Sequence, residues 1–177
     1  MSRDRALSSL RRCLLAGCVV LSSSSGRAAG DEVRWRVFDE AGESLLVIAD
    51  TDEATDNFGL PALSCKDGMG AVSVEGEAKE NLRLQMASLI RADQAPWIQV
   101  LPDTGPQTTS IDLFYSFIDG WRYKFMLQAD HKAFERFQSE GVLEFKLGDA
   151  AIHEEFKVGL ENVGKFLALC KPQPKKQ

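Results

Sequence analysis

Few residues of this chain could do chemistry. His131 and His153 are its two histidines. A Ser-His-Asp or Cys-His mechanism needs one imidazole held between a nucleophile and an orienting group. No serine stands in a Gly-x-Ser-x-Gly elbow. His131 falls at an expected helix start and His153 on an expected solvent-facing strand position, so both read as ordinary exposed histidines. His153 and Glu155 share one strand face, but two ligands are too few for a tight metal site. Asp50, Asp52, Glu53 and Asp56 crowd one loop, and calcium favours such oxygen clusters. Counted as an EF-hand from Asp50, however, Thr55 stands where glycine is required and Pro61 where the bidentate glutamate belongs. A solvated acidic loop is the expectation, with weak calcium binding by Asp50, Asp52 and Asp56 as the alternative. Gly68-Met69-Gly70 lacks the lysine and the strand-to-helix setting of a phosphate loop. Leu101-Pro102-Asp103-Thr104-Gly105 spells a sortase signal, but half a domain follows it, which makes it a turn. No catalytic residue, metal site or cofactor motif is assigned.

The four cysteines are better read through the start of the chain. Arg3, Arg5, Arg11 and Arg12 precede a nine-residue apolar run, Cys13 to Leu21, and a small, polar stretch ending in Ala28-Ala29-Gly30. That is the three-part layout of a secretory signal peptide over residues 1–29. The run is too short to span a bilayer, which takes roughly 17–25 residues. Leu15-Ala16-Gly17-Cys18 resembles a lipobox, so a lipid anchor on Cys18 is the alternative to a free periplasmic protein. Leu10-Arg11-Arg12-Cys13-Leu14-Leu15 resembles a twin-arginine start, but paired arginines are ordinary in a basic leader. Loss of the leader leaves Cys65 and Cys170, and in an oxidising compartment a lone pair forms a disulfide. It also removes five arginines and Asp4, which leaves 16 basic and 25 acidic residues and a net charge of −9. An acidic domain without a basic stripe is a poor partner for nucleic acid or for anionic membrane surfaces.

The elements that must position these residues are mostly strands. Val33, Trp35 and Val37 alternate with Arg34 and Arg36. Residues 43–49 form a second strand. Residues 60–65 and 71–75 flank a turn at Asp67-Gly68. Leu82, Leu84 and Met86 alternate and predict another strand, and 97–101 a short one. Residues 111–118 and 121–127 form the clearest hairpin, turning at Asp119-Gly120. Leu143, Phe145 and Leu147 repeat the period, and Ile152, Phe156 and Val158 continue it. Asp130 to Ser139 predicts a helix capped by Asp130 and ended by Gly141. Asn162 to Cys170 predicts a second, with Val163, Phe166, Leu167 and Cys170 on one apolar stripe. Residues 171–177 read as a disordered tail. The 30–170 segment is thus one mainly β domain, an antiparallel sandwich or barrel with one or two short helices. Its C-terminal helix is tied down by a Cys65–Cys170 disulfide.

Three segments carry a resemblance: Phe58 to Gly68, Gly120 to Phe125, and Glu155 to Leu160 leading on to Phe166 and Cys170. They resemble a group of uncharacterised exported proteins of Gram-negative α-proteobacteria, with an early cysteine on a strand and a late one after a Phe-Leu helix. The resemblance implies a fold and an address, and no catalytic residues. The functional expectation is a periplasmic, non-enzymatic binding or accessory protein whose partner is an envelope protein or another envelope component. Its surface would lie near Trp97 or at Asp119-Gly120. The alternatives are a hydrolase with two convergent Asp/Glu carboxylates in a deep pocket, or an inhibitor of a periplasmic enzyme presenting a loop between Asp103 and Thr109.

Overall fold

Alternating apolar and polar residues give most strands one apolar face, and all nine contribute to one main core, while the continuous apolar run of residues 45–49 also feeds a smaller cluster of Val47, Ala49 and Ala62. The computed structural model describes residues 32–52, 58–103 and 109–172. The expected leader, Cys18, Asp56, residues 104–108 and the tail from 173 lie outside the described residues. The strands are β1 (Arg34–Glu40), β2 (Glu43–Ala49), β3 (Gly59–Lys66), β4 (Ala71–Glu77), β5 (Trp97–Val100), β6 (Thr109–Ser116), β7 (Gly120–Gln128), β8 (Val142–Leu147) and β9 (Ala150–Glu155). The helices are α1 (Glu80–Arg91), α2 (Lys132–Glu140) and α3 (Leu160–Cys170). All pairings are antiparallel, in one sheet ordered β1-β2-β3-β4-β7-β6-β5-β8-β9. Beyond β9 the chain returns to β1, where the Trp35 amide donates to Val158 O at 2.9 Å and the Trp35 indole to Phe156 O at 2.9 Å.

Every strand sends residues into a single core, from Trp35 on β1 through Leu63, Val74, Ile111, Tyr123 and Phe145 to Ile152 on β9. α3 lays Val163, Phe166, Leu167 and Cys170 into it, the stripe expected from their spacing. Cys170 is bonded to Cys65 at the end of β3, with Cα atoms 5.7 Å apart. α2 is capped not by Asp130 but by His131, whose Nδ1 accepts the Ala133 amide at 3.2 Å. Gly141 ends that helix at φ +71°, as expected. There, a Cβ would meet Phe156 O at 2.3 Å.

The fold corrects further expectations: β9 ends at Glu155, so Phe156 and Val158 lie beyond the strand, and two larger differences concern α1 and the hairpin. Residues 82–86 are not a strand but part of α1, a third helix where one or two were expected. Leu82, Met86 and Leu89 turn inward at helical spacing, and Leu84 is left exposed. Five residues with apolar positions 82, 84 and 86 fit a period of two, and only the longer window through Leu89 favours 3.6. The second larger difference is at the hairpin. β6 stops at Ser116, so Phe117 and Ile118 stand in the turn instead of the strand.

Candidate functional site

The turn residues explain how that hairpin is built. The Ser116 hydroxyl accepts the amides of Ile118 and Asp119, each at 3.3 Å. Gly120 then reverses the chain at φ +77°, a conformation that suits glycine. Arg122 braces the tip from the outer face, donating to Asp119 on the turn and to Glu75 on β4, both at 2.6 Å. The two residues expected at a partner surface, Asp119 and Gly120, are therefore the brace and the pivot of the loop.

What the brace holds up is apolar. Along the inner face of the hairpin, Ile111 and Tyr123 are fully buried, while Trp121 is 42% and Tyr115 55% exposed. Beyond them Phe117 is 97% and Ile118 92% exposed. The face that forms the core thus runs out past it into solvent. Tyr115 packs edge-on against both Trp121 and Phe117, with centroids 5.6 and 5.9 Å apart. Beside the hairpin, α1 supplies a wall of Arg83, Met86, Ala87 and Ile90, and between wall and hairpin lies a mostly apolar cavity of about 560 Å³. Full burial of a Phe or Ile contributes about 1.5–3 kcal/mol, which the free domain forgoes at both tip positions. Contiguous exposed apolar patches are a common form of interaction surface.

Trp97 does not join this surface. It lies opposite Ser110 on β5, on the outer face of the sheet, in a separate groove with Asp112, Lys124, Met126 and His131. The sequence signal for the tip was the pair Phe117-Ile118 directly before Asp119-Gly120; it was obscured by reading both as strand.

The polar clusters are engaged elsewhere. His153 Nδ1 lies 2.7 Å from Glu144 and its Nε2 3.1 Å from Glu155. Arg136 pairs with Glu144 and, at 2.8 Å, with Glu140, and Lys157 pairs with Glu155. The hydrogen bonds to Glu144 and then Glu155 raise the His153 pKa. Those from His153 and Arg136 lower that of Glu144. This is an exposed ion network on β8, β9 and α2, with no serine or cysteine nucleophile among its members. No group of three or more His, Cys, Asp or Glu able to hold a metal occurs among the described residues. Asp52, from the acidic loop, is taken by Arg36, and Asp50 is exposed beside it.

One pair joins a buried phenol to a half-buried carboxylate. Tyr123 donates to Glu154 at 3.2 Å, and burial, then the neighbouring carboxylate, holds the phenol pKa well above its ordinary value. Burial also raises that of Glu154. Gly76 faces Tyr123 across the β4–β7 pair, where a Cβ would meet the phenol oxygen at 2.2 Å. The pair seats Tyr123 in the core.

Among the described residues no helix is long and apolar enough to cross a membrane, and the disulfide points to an oxidising, extracytoplasmic compartment. Comparisons with protein-family models, with curated proteins and with solved structures each found no match.

Proposed function

We propose that the domain is a periplasmic, non-enzymatic binding or accessory protein, exported by its leader and docking an envelope partner on the hairpin tip and the groove beside α1. This reading keeps the chain with the exported α-proteobacterial proteins it resembles. The observation that carries it is the braced tip, where Phe117 and Ile118 stand exposed in a turn whose Asp119 is paired with Arg122. Rigid presentation lowers the ordering cost of association, and burial of aromatic anchors supplies most of the energy of such contacts. The carboxylate-hydrolase alternative finds less support. The groove holding Glu140 and Glu155 has both acids paired with Arg136 and Lys157.

The test is crosslinking capture from the native envelope with tagged protein carrying its own leader. The wild type is compared with a Phe117→Ser/Ile118→Ser double variant and with Trp97→Ala. A specific partner retained by Trp97→Ala and lost by the double variant is the expected result. A partner lost only with Trp97→Ala would move the site to the outer face, and equal recovery by all three proteins would reject both surfaces.

A further inference from the structure

The groove has a second property besides its apolar lining. It runs beside a stretch of the β6 edge that pairs with no strand among the described residues. β6 pairs with β7 over Ile111–Ser116, but with β5 only at Thr109 and Ser110. The Ile111 amide donates to Pro96 O at 3.0 Å, so Ile111 directs its main-chain groups away from β7. By the two-residue period, Leu113 and Tyr115 direct theirs the same way. Neither has a main-chain partner there among the described residues. The cause lies in the sequence. Pro96 has no N–H to return to Ile111 and ends β5 there. The chain before it turns off to α1, with the Gln94 amide on Leu89 O at 2.9 Å.

We infer that the free edge of β6 at Leu113 and Tyr115 binds an extended peptide segment by strand addition, its alternate side chains being apolar and then acidic. The inference rests on the reading of this face as a binding surface and names the chemistry of its occupant. Main-chain donors and acceptors on an open edge supply affinity, and pockets for every second side chain supply selectivity. Here the pocket is formed by Met86, Ile90, Leu113 and Trp121. Its cation is Arg83, which has no ion pair among the described residues. A carboxylate on the inward side of the added strand matches it. A second copy of this chain fits less well. In two-fold pairing, its β6 would bring one acid, Asp112, which by the two-residue period turns to the face opposite Leu113, with Trp97 and Lys124, although it also borders the groove that holds Arg83.

The test uses the leaderless, disulfide-bonded protein and a fluorescein-labelled peptide, Thr-Val-Thr-Val-Thr-Glu-Thr, whose two valines and glutamate share one face. Two further versions carry N-methyl groups on alternate amides, one on each edge. Saturable anisotropy is expected, weakened at least tenfold by methylation of one edge and less than threefold by the other. Tyr115→Pro, which removes the outward N–H together with the ring, is expected to weaken binding at least tenfold, and Tyr115→Ala, which removes the ring and keeps the N–H, much less. Arg83→Glu is expected to weaken it and a lysine-for-glutamate peptide to restore it. Amide exchange at Leu113 and Tyr115 slows in the complex. Because the methylated peptides leave the protein unchanged, the result does not hang on whether Tyr115→Pro folds. Absence of saturable binding, equal binding of both methylated peptides, unchanged exchange at 113 and 115, or self-association through this edge would each overturn the inference. Envelope capture separates its failure from that of the broader reading. A partner kept by Tyr115→Pro but lost by Phe117→Ser/Ile118→Ser leaves the docking face standing without the strand addition.

Discussion

Phe117 and Ile118 touch little of the domain that carries them, and that isolation makes their role measurable. An exposed side chain contributes little to folding, so Phe117→Ser and Ile118→Ser are expected to change unfolding free energy by less than about 0.5 kcal/mol each. Urea denaturation checks this; a cost above about 2 kcal/mol would mean that the tip packs against the domain and is no free surface. Gly76 is the opposite case. Any side chain there strikes the Tyr123 phenol, which is fixed in the core beside Glu154. Gly76→Ala should cost about 1–3 kcal/mol, the usual range for overpacking, and a variant as stable as the parent would show that Tyr123 moves freely.

His153 provides a pH test at the same scale. Its folded pKa is raised by Glu144 first and Glu155 second. Its contribution is therefore complete below its unfolded value, about 6.5, and is lost as pH rises through the folded value. Glu144 is lowered, so its share is present above its unfolded pKa and is lost as pH falls through the folded one. Both groups are partly exposed, and solvent screening holds the pair to under about 1 kcal/mol. In Glu144→Gln, the NMR titration midpoint of His153 should fall; a midpoint that stays put would show that Glu144 is not its partner.

At the scale of elements, the disulfide ties α3 to the end of β3 across a separation of 105 residues. In the chain-entropy account a loop of that length stabilises by about 4–5 kcal/mol, an upper figure. Cys65→Ser should lower the melting temperature by many degrees, and an unchanged temperature would remove the bridge from the stability account. Much of this architecture was legible in the chain. The β2 boundaries and the buried stripe of α3 follow from apolar spacing. The disulfide follows from the two cysteines that remain once residues 1–29 are read as a leader. α1 was not legible from Leu82-Leu84-Met86, because that short stretch fits both periods and tertiary burial of Leu82 and Met86 decides between them. The site was half legible. Asp119-Gly120 announced the turn, but which residues of 111–118 leave the strand depends on the Ser116 hydroxyl capturing two amides. Pro96 as the residue that opens the β6 edge becomes visible only with the strand order.

At the scale of the molecule, all nine strands contribute to one main core, a smaller cluster of Val47, Ala49 and Ala62 packs apart from it, and the largest exposed apolar side chains gather along one side. There the inner face of β6 and β7 continues past the core, α1 stands off from it, and the tip projects into water. The account places the activity of the protein on that side. The most direct measurement is in-cell photo-crosslinking from a benzoylphenylalanine at position 117, compared with one at Lys165 on α3. The account predicts a discrete partner adduct from position 117, competed by untagged wild type, and none from position 165. Adducts of equal pattern from both positions, or none from position 117, would contradict it.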